Sequence, residues 1–237
     1  MYVALEEERK LRKLESIQET IRQILSEHFK RRNPSAIRLA QIEFMKRRGA
    51  VKQVNVAIGN VSLPMHPAMT KRMLNLGSDG SPFKDGVVRY TATVGMEETR
   101  KAFLNIIASS GFKTNELYPQ VTEGGSQAME LVILGVCGPA GSPESPMLLI
   151  DAAYTNYGLM AARLGRRIVS VQRTLQENGS FTLPDLDKIE GVIEKNRPAG
   201  MVVIPYDNPT GHFYDSETMS VLAEFCVKYN MRMISDE

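Results

Sequence analysis

After Gly49, short apolar runs of four or five residues alternate with amphipathic segments long enough to form helices. Strands separated by helices of this length form βαβ units, which pair in parallel. The predicted strands are Gln53–Ala57, Tyr118–Thr122, Met147–Ile150, Arg167–Val171, Met201–Ile204 and Met231–Ser235. The predicted helices are Pro67–Leu76, Gly95–Ala108, Ser126–Val136, Tyr157–Leu164, Leu186–Lys195 and Ser216–Tyr229. The sequence therefore predicts an α/β fold with a mostly parallel sheet.

The first 49 residues follow a different pattern. From Leu5 to about Lys30, apolar residues recur at steps of three and four among charges, which is typical of an amphipathic helix. A second helix is predicted from Pro34 to Arg48, and Gly49 ends it. We therefore expect an N-terminal helical arm over residues 1–49, followed by one larger domain over residues 50–237.

Composition excludes several classes of function. Lys and Arg total 29 against 27 Asp and Glu, and this net charge of +2 gives no basis for nucleic-acid binding. No apolar run approaches the roughly 20 residues that span a bilayer, and the N-terminus lacks a signal-peptide pattern. Cys137 and Cys226 stand far apart in apolar stretches, which predicts buried thiols and neither a disulfide nor a metal site. We expect a cytoplasmic protein that binds no metal, membrane or nucleic acid.

Two turns follow predicted strands and carry candidate binding residues. In the first, Gly124 and Gly125 end a strand and Ser126 opens a helix, so free backbone N–H groups favour a phosphate there. A tight strand-to-helix turn requires glycine with or without a ligand, so this pattern alone leaves both interpretations open. The second turn is Asn208-Pro209-Thr210-Gly211, and as a lone feature it is equally typical of an ordinary turn. Ligands of open α/β sheets bind beyond the carboxyl ends of the strands, where both turns are expected.

The last predicted strand runs into Ser235-Asp236-Glu237. At this edge of the sheet, the Asp236 carboxylate is placed to pair with a protonated ring nitrogen and to keep it charged. An aspartate after a strand is also common as a cap or at a solvated terminus. The strand that ends at Asp236 becomes a specific indication of function only through its order and spacing relative to the two turns.

Together, the three stretches resemble the large cofactor domain of class I and II aminotransferases, the fold-type-I pyridoxal-phosphate enzymes related to aspartate aminotransferase. The resemblance runs from about Val54 to Glu237, and its most specific part is the Asn-Pro-Thr-Gly turn followed by the Ser-Asp-Glu strand end. It implies a three-layer αβα domain and an enzyme that transfers an amino group between an amino acid and a 2-oxo acid. It also implies pyridoxal 5′-phosphate as the cofactor and a homodimer as the working form.

The resemblance also implies roles for individual residues, each of which would contact the same cofactor or its substrate. The implied ligands of the cofactor phosphate are Gly124, Gly125 and Ser126, with Tyr90 reaching the phosphate of the neighbouring subunit. The implied contacts of the cofactor ring are Tyr154 stacked on its face, Asn208 at its phenolic oxygen and Asp236 at its nitrogen. Gly59 matches the glycine whose backbone lies beside the substrate carboxylate.

The lysine that forms the Schiff base in this family follows the aspartate strand, and no residue follows Glu237 here. None of the upstream lysines lies in a matching motif, so no catalytic residue is assigned. We expect a truncated chain that does not transaminate alone, because it has neither the covalent anchor nor the base for the proton shift.

Two alternatives stay open from the sequence. The whole enzyme is a lyase, decarboxylase or racemase of the same superfamily if the protein directs the cofactor to a different bond at Cα. The chain is a non-catalytic cofactor-binding module if it is complete, and reversible binding without a covalent adduct distinguishes that case.

Overall fold

The structure is a computed structural model that describes residues 35–47, 62–182 and 185–237, together with residues 12, 13, 26, 29, 49, 51–54, 56 and 59. The predicted helix from Leu5 to Lys30 lies outside the described residues, apart from four single positions. The described helices are α1 (Ala36–Met45), α2 (Pro67–Leu74), α3 (Glu97–Ser109), α4 (Gly124–Val136), α5 (Asn156–Arg163), α6 (Leu186–Asn196) and α7 (Ser216–Lys228). The described strands are β1 (Met147–Asp151), β2 (Ile168–Gln172), β3 (Gly200–Val203) and β4 (Arg232–Ser235).

The four strands form one sheet in the order β2-β1-β3-β4, and every neighbouring pair is parallel. Met147 at the start of β1 pairs with Ile168 on one side and with Gly200 on the other. Each connection between strands contains a helix, as parallel pairing requires. The predicted α/β fold with a mostly parallel sheet is therefore confirmed.

Helices cover both faces of this sheet, because alternate side chains of each strand point to opposite sides. One face packs against α6 and α7, and its buried core consists of Leu148, Ile150, Val171, Ile189, Ile193, Met201, Val203, Tyr214, Leu222, Cys226 and Met231. The other face packs against α4 and α5, and its core consists of Met129, Ile133, Met147, Leu149, Tyr157, Met160, Ala161, Val202 and Ile204. The three predicted αβα layers are present.

The chain divides into two compact units. The sheet unit comprises Met1–Lys46 and Met129–Glu237, and the loop-rich unit comprises Arg47–Ala128. The loop-rich unit contains α2, α3 and the first five residues of α4, and none of its described residues belongs to a strand. Gly95 has a φ of 92°, and a Cβ added there would lie 2.5 Å from Val121 Cγ2, so this turn requires glycine.

Two predicted strands do not form among the described residues. Tyr118–Thr122 forms no ladder with another strand of the described chain. Its hydrogen bonds to other residues of the loop-rich unit include one from Val121 N–H to the carbonyl of Val94 at 3.1 Å. The described residues of Gln53–Ala57 also lie outside any strand. A strand needs a partner along its length, and an apolar run alone does not supply one.

Helix α1 lies inside the predicted segment Pro34–Arg48 and has no buried residue. The Ser35 side chain caps it by accepting a hydrogen bond from Arg38 N–H at 3.4 Å. Four of its large apolar residues are exposed, from Ile37 at 39% to Met45 at 70%. No helix among the described residues is long and apolar enough to cross a membrane.

Helix α7 offers a matched test of the core. Leu222 is fully buried and Val227 is 83% exposed on the same helix. We expect Leu222→Ala to lower the free energy of unfolding by about 2 to 5 kcal/mol, because it leaves a cavity between α7 and the sheet. We expect Val227→Ala to change it by less than about 0.5 kcal/mol. Urea denaturation followed by circular dichroism measures both, and equal losses would contradict this packing.

Candidate functional site

The candidate site begins with the carboxylate of Asp236, directly after β4. Tyr157, on α5 and only 2% exposed, donates its hydroxyl hydrogen bond to Asp236 Oδ2. Asp236 N–H donates to the carbonyl of Val203 at 3.0 Å, which fixes the backbone at the end of the sheet. Among the described residues, no hydrogen bond reaches Oδ1 and no cation pairs with this carboxylate. One oxygen is therefore held in place while the other is available to a ligand.

Tyr157 remains a hydrogen-bond donor over a wide pH range. Burial raises the pKa of its phenol far above the ordinary value, and the hydrogen bond to Asp236 raises that pKa further. The carboxylate therefore faces a neutral hydroxyl rather than a competing negative charge.

Tyr154 lies in the loop between β1 and α5, beside Tyr157. The two rings pack edge to face, with centroids 5.5 Å apart and planes at 80°. The Tyr154 hydroxyl accepts a hydrogen bond from Asn156 Nδ2 at 2.6 Å. Tyr154 also lines a cavity of about 650 Å³ that includes Asp151 and Arg173. Its half-buried ring is thus held at the carboxyl end of β1 with part of its surface open.

Asn208 lies in the turn after β3. The turn is closed by backbone bonds from Gly211 N–H to the carbonyl of Asp207 at 2.8 Å and from Asp207 N–H to the carbonyl of His212 at 2.9 Å. The Asn208–Pro209 peptide bond is cis. The Asn208 side chain is exposed, and it makes no hydrogen bond to any residue that the structure describes. The hydrogen-bonded turn therefore presents an amide without a partner among the described residues.

A buried ion pair at the same edge was not predicted from the sequence. Arg173 follows β2 and Asp207 follows β3, and these two strands flank β1 on either side. Arg173 Nη1 lies 2.7 Å from Asp207 Oδ2, and both side chains are 1% exposed. The available signal was a pair of opposite charges, with Arg173 directly after β2 and Asp207 four residues after β3. Helix-and-strand patterning does not show which charges meet.

The Arg173 guanidinium also contacts the ring of Tyr214, which is 3% exposed. Burial raises the pKa of Tyr214 to about 12; the Arg173 charge opposes this shift and the Asp207 charge adds to it.

The predicted phosphate-binding turn belongs to the loop-rich unit up to Ala128. Helix α4 begins at Gly124, whose φ of 76° favours glycine, and no atom lies within 4 Å of a Cβ added at Gly124 or Gly125. Thr122 Oγ1 donates to the carbonyl of Gly124 at 3.0 Å, and Glu123 N–H donates to Gln127 Oε1 at 2.7 Å. The first turn contains no acidic residue, and Ser126 is exposed. This helix start is open and chemically suited to an anion.

The other two predicted site residues also belong to the loop-rich unit. The Tyr90 side chain is fully exposed. Gly59 is exposed and has open space around it, and residues 57, 58 and 60 lie outside the described part. The structure therefore brings Tyr154, Asn208 and Asp236 to one edge of one sheet.

The other reactive side chains in the described part of the chain form no second cluster of this kind. Within the described ranges, no group of three His, Cys, Asp or Glu side chains is arranged to hold a metal ion. Cys226 is buried and Cys137 is partly buried, and burial raises the pKa of both thiols. Both are free, as the sequence predicts.

The described sheet unit is an α/β domain whose parallel sheet is covered on both faces, with a carboxylate, an aromatic ring and an unbonded amide at the carboxyl edge, where ligands of open α/β sheets bind. The family model described as aminotransferase class I and II matches residues 51–237. The chain belongs to the class I and II aminotransferase family.

Individual relatives agree with this family. The chain is 27% identical over 153 residues to the aspartate/prephenate aminotransferase of Thermus thermophilus, a match that covers 64% of this chain and 38% of that protein. The structure of aspartate aminotransferase from Thermus thermophilus with maleate matches 90% of this chain and 53% of that chain, with a TM-score of 0.72 and 22% identity. A PLP-bound protein of Clostridium difficile 630 matches 76% of this chain and 43% of that chain, with a TM-score of 0.58 and 17% identity. The chain thus spans about half the length of the solved structures that it matches.

The burial of Tyr214 predicts how stability depends on pH. Its pKa is higher in the folded state than in the unfolded state, so the unfolded chain loses this proton first and stability falls as the pH rises from 10 to 12. We expect Tyr214→Phe to reduce that fall by up to about 1.4 kcal/mol per pH unit. Urea denaturation at a series of pH values measures the slopes. Between pH 7 and 9 the two slopes should agree, and identical slopes above pH 10 would contradict the prediction.

Proposed function

We propose that the protein is a pyridoxal-phosphate-dependent aminotransferase that transfers an amino group between an amino acid and a 2-oxo acid. The observation that carries this proposal is the Asp236 carboxylate, with one oxygen bonded by Tyr157 and the other available at the carboxyl edge of the sheet. A fixed carboxylate of this kind suits a protonated ring nitrogen. Membership of the class I and II aminotransferase family supports the same assignment.

The proposed contacts of the cofactor ring use the three residues at this edge. Asp236 accepts a hydrogen bond from the ring nitrogen and keeps it protonated. Tyr154 stacks on the ring and excludes water from one face, and the Asn208 amide donates to the phenolic oxygen. When bound, pyridoxal phosphate withdraws electrons from the amino acid's Cα, which is the chemistry that side chains alone do not supply.

Further proposed contacts involve the cofactor phosphate and the substrate. The open start of α4 supports Gly124, Gly125 and Ser126 as phosphate ligands, through backbone N–H groups and the Ser126 hydroxyl. Tyr90 is proposed to reach the phosphate of a second subunit in a homodimer, and its full exposure is compatible with an intersubunit role. Gly59 is proposed to lie beside the substrate carboxylate. The lysine that the family resemblance calls for is not assigned to any residue of this chain.

The proposal includes the organisation and setting of the protein. Residues 1–49 form an N-terminal arm and residues 50–237 form a cofactor-binding domain. The protein acts in amino-acid metabolism in the cytoplasm.

Cofactor binding is tested by titrating the apo-protein with pyridoxal phosphate and following its visible absorbance. We expect saturable binding, and we expect Asp236→Asn to weaken it roughly ten- to hundredfold, because a hydrogen bond to a charged group is lost. Asn preserves the size of the side chain and can still accept from Tyr157. Glu224→Gln, an exposed carboxylate on α7, is the matched control and should bind like the wild type. Equal affinities for all three proteins would contradict the role of Asp236.

The reaction is tested with protein from its native source. We expect amino groups to appear on added 2-oxo acids when amino acids and pyridoxal phosphate are supplied, as measured by mass spectrometry. Borohydride reduction followed by peptide mapping should then place the cofactor on a lysine. Decarboxylated, eliminated or racemised products without amino transfer would identify a different reaction of the same cofactor. Binding without any adduct or product would contradict an enzymatic role.

A further inference from the structure

Arg173 connects the two loops that carry Tyr154 and Asn208. Its Nη2 donates to the carbonyls of Ile150 at 3.1 Å and Ala152 at 2.8 Å, and its Nε donates to the carbonyl of Asp151 at 3.4 Å. Three consecutive carbonyls at the end of β1 are therefore held by one guanidinium. Tyr154 follows the last of them by two residues.

On its other side, Arg173 holds the turn after β3. Its Nη1 pairs with Asp207 Oδ2 at 2.7 Å and donates to Thr210 Oγ1 at 3.3 Å. Thr210 in turn donates its hydroxyl hydrogen to the same Asp207 oxygen. Asn208 lies between Asp207 and Thr210 in the chain, so residues on both sides of it in the turn are bonded to Arg173.

We propose that Arg173 and Asp207 are positioning residues that set the distance between the Tyr154 ring and the Asn208 amide, and so set how the cofactor ring is held. This proposal rests on the proposed function. Neither side chain is proposed to touch the cofactor. Both act through the two loops that they join.

The chemistry of the pair favours positioning over simple stabilisation. A buried ion pair is often replaced by apolar side chains without loss of stability, so burial alone does not account for it. All three nitrogens of the Arg173 guanidinium have partners, in directions that only a planar fork supplies. A lysine would keep the charge but could not donate hydrogen bonds to most of these partners at once.

Three variants distinguish a positioning role of the Arg173–Asp207 pair from an effect of its charge alone and from a loss of the fold. Arg173→Lys keeps the charge and removes the fork. Asp207→Asn keeps the shape and removes the charge. The double variant Arg173→Met with Asp207→Leu replaces both buried charges by apolar groups, which preserves the fold while removing every bond between the loops. Lys228→Met is the matched control, because it removes a cation from the Lys228–Glu190 pair, which joins α7 to α6 at the surface.

Two measurements are made on each protein. Hydrogen exchange followed by mass spectrometry reports the mobility of residues 151–155 and 207–211. Titration of the apo-protein with pyridoxal phosphate, followed by visible circular dichroism, reports affinity and the orientation of the bound ring. Urea denaturation gives the folded fraction, so that a loss of fold is not counted as a loss of affinity.

We expect Arg173→Lys and the double variant to exchange faster in both segments together and to bind pyridoxal phosphate roughly ten- to hundredfold more weakly, with an altered dichroism per bound molecule. Asp207→Asn should have an intermediate effect, and Lys228→Met should match the wild type. A double variant that is as stable as the wild type and binds as tightly would overturn the proposal, as would full rescue by lysine. A wild-type protein that does not bind pyridoxal phosphate would instead contradict the proposed function.

Discussion

The parallel pairing of β2, β1, β3 and β4 is the constraint on which the rest of the structure depends. Parallel strands must be joined by crossovers, and the crossover helices bury both faces of the sheet. The same pairing brings the carboxyl ends of all four strands to one edge. Residues 79 positions apart, Tyr157 and Asp236, meet there because each is attached to an element that this order fixes.

The candidate site has polar groups of two kinds. Asp236 and Asn208 are partly or fully exposed and retain unused hydrogen-bonding capacity towards a ligand. Arg173 and Asp207 are buried and satisfy one another and the surrounding backbone. A low-dielectric interior strengthens such bonds and makes an unpaired member costly, so the buried pair has little freedom to rearrange. The exposed groups are thus attached to a framework that resists displacement.

All four strands of the sheet were predicted from the sequence to within about one residue, including β2 and β4, which are only partly buried. Strands β1 and β3 were recognisable because each is an uninterrupted apolar run between turn residues. Tyr118–Thr122 has a similar apolar pattern but lacks a partner strand among the described residues, and pairing is a tertiary property that a local pattern does not contain. The role of Arg173 was not predicted for the same reason, because its ion pair is formed with Asp207, 34 positions later in the chain. Asp236, Asn208 and Tyr154 were predicted as site residues through motif resemblance, and the strand order brings all three to one edge.

The hydrogen bond between Tyr157 and Asp236 has a fixed polarity. Because the pKa of the Tyr157 phenol is strongly raised, the phenol keeps its proton at and around neutral pH. The hydroxyl can therefore only give its hydrogen to the carboxylate, and the carboxylate is oriented by a partner that does not change charge. The Tyr157 proton stays in place as the pH changes near neutrality, which makes this hydroxyl a fixed directional anchor for Asp236.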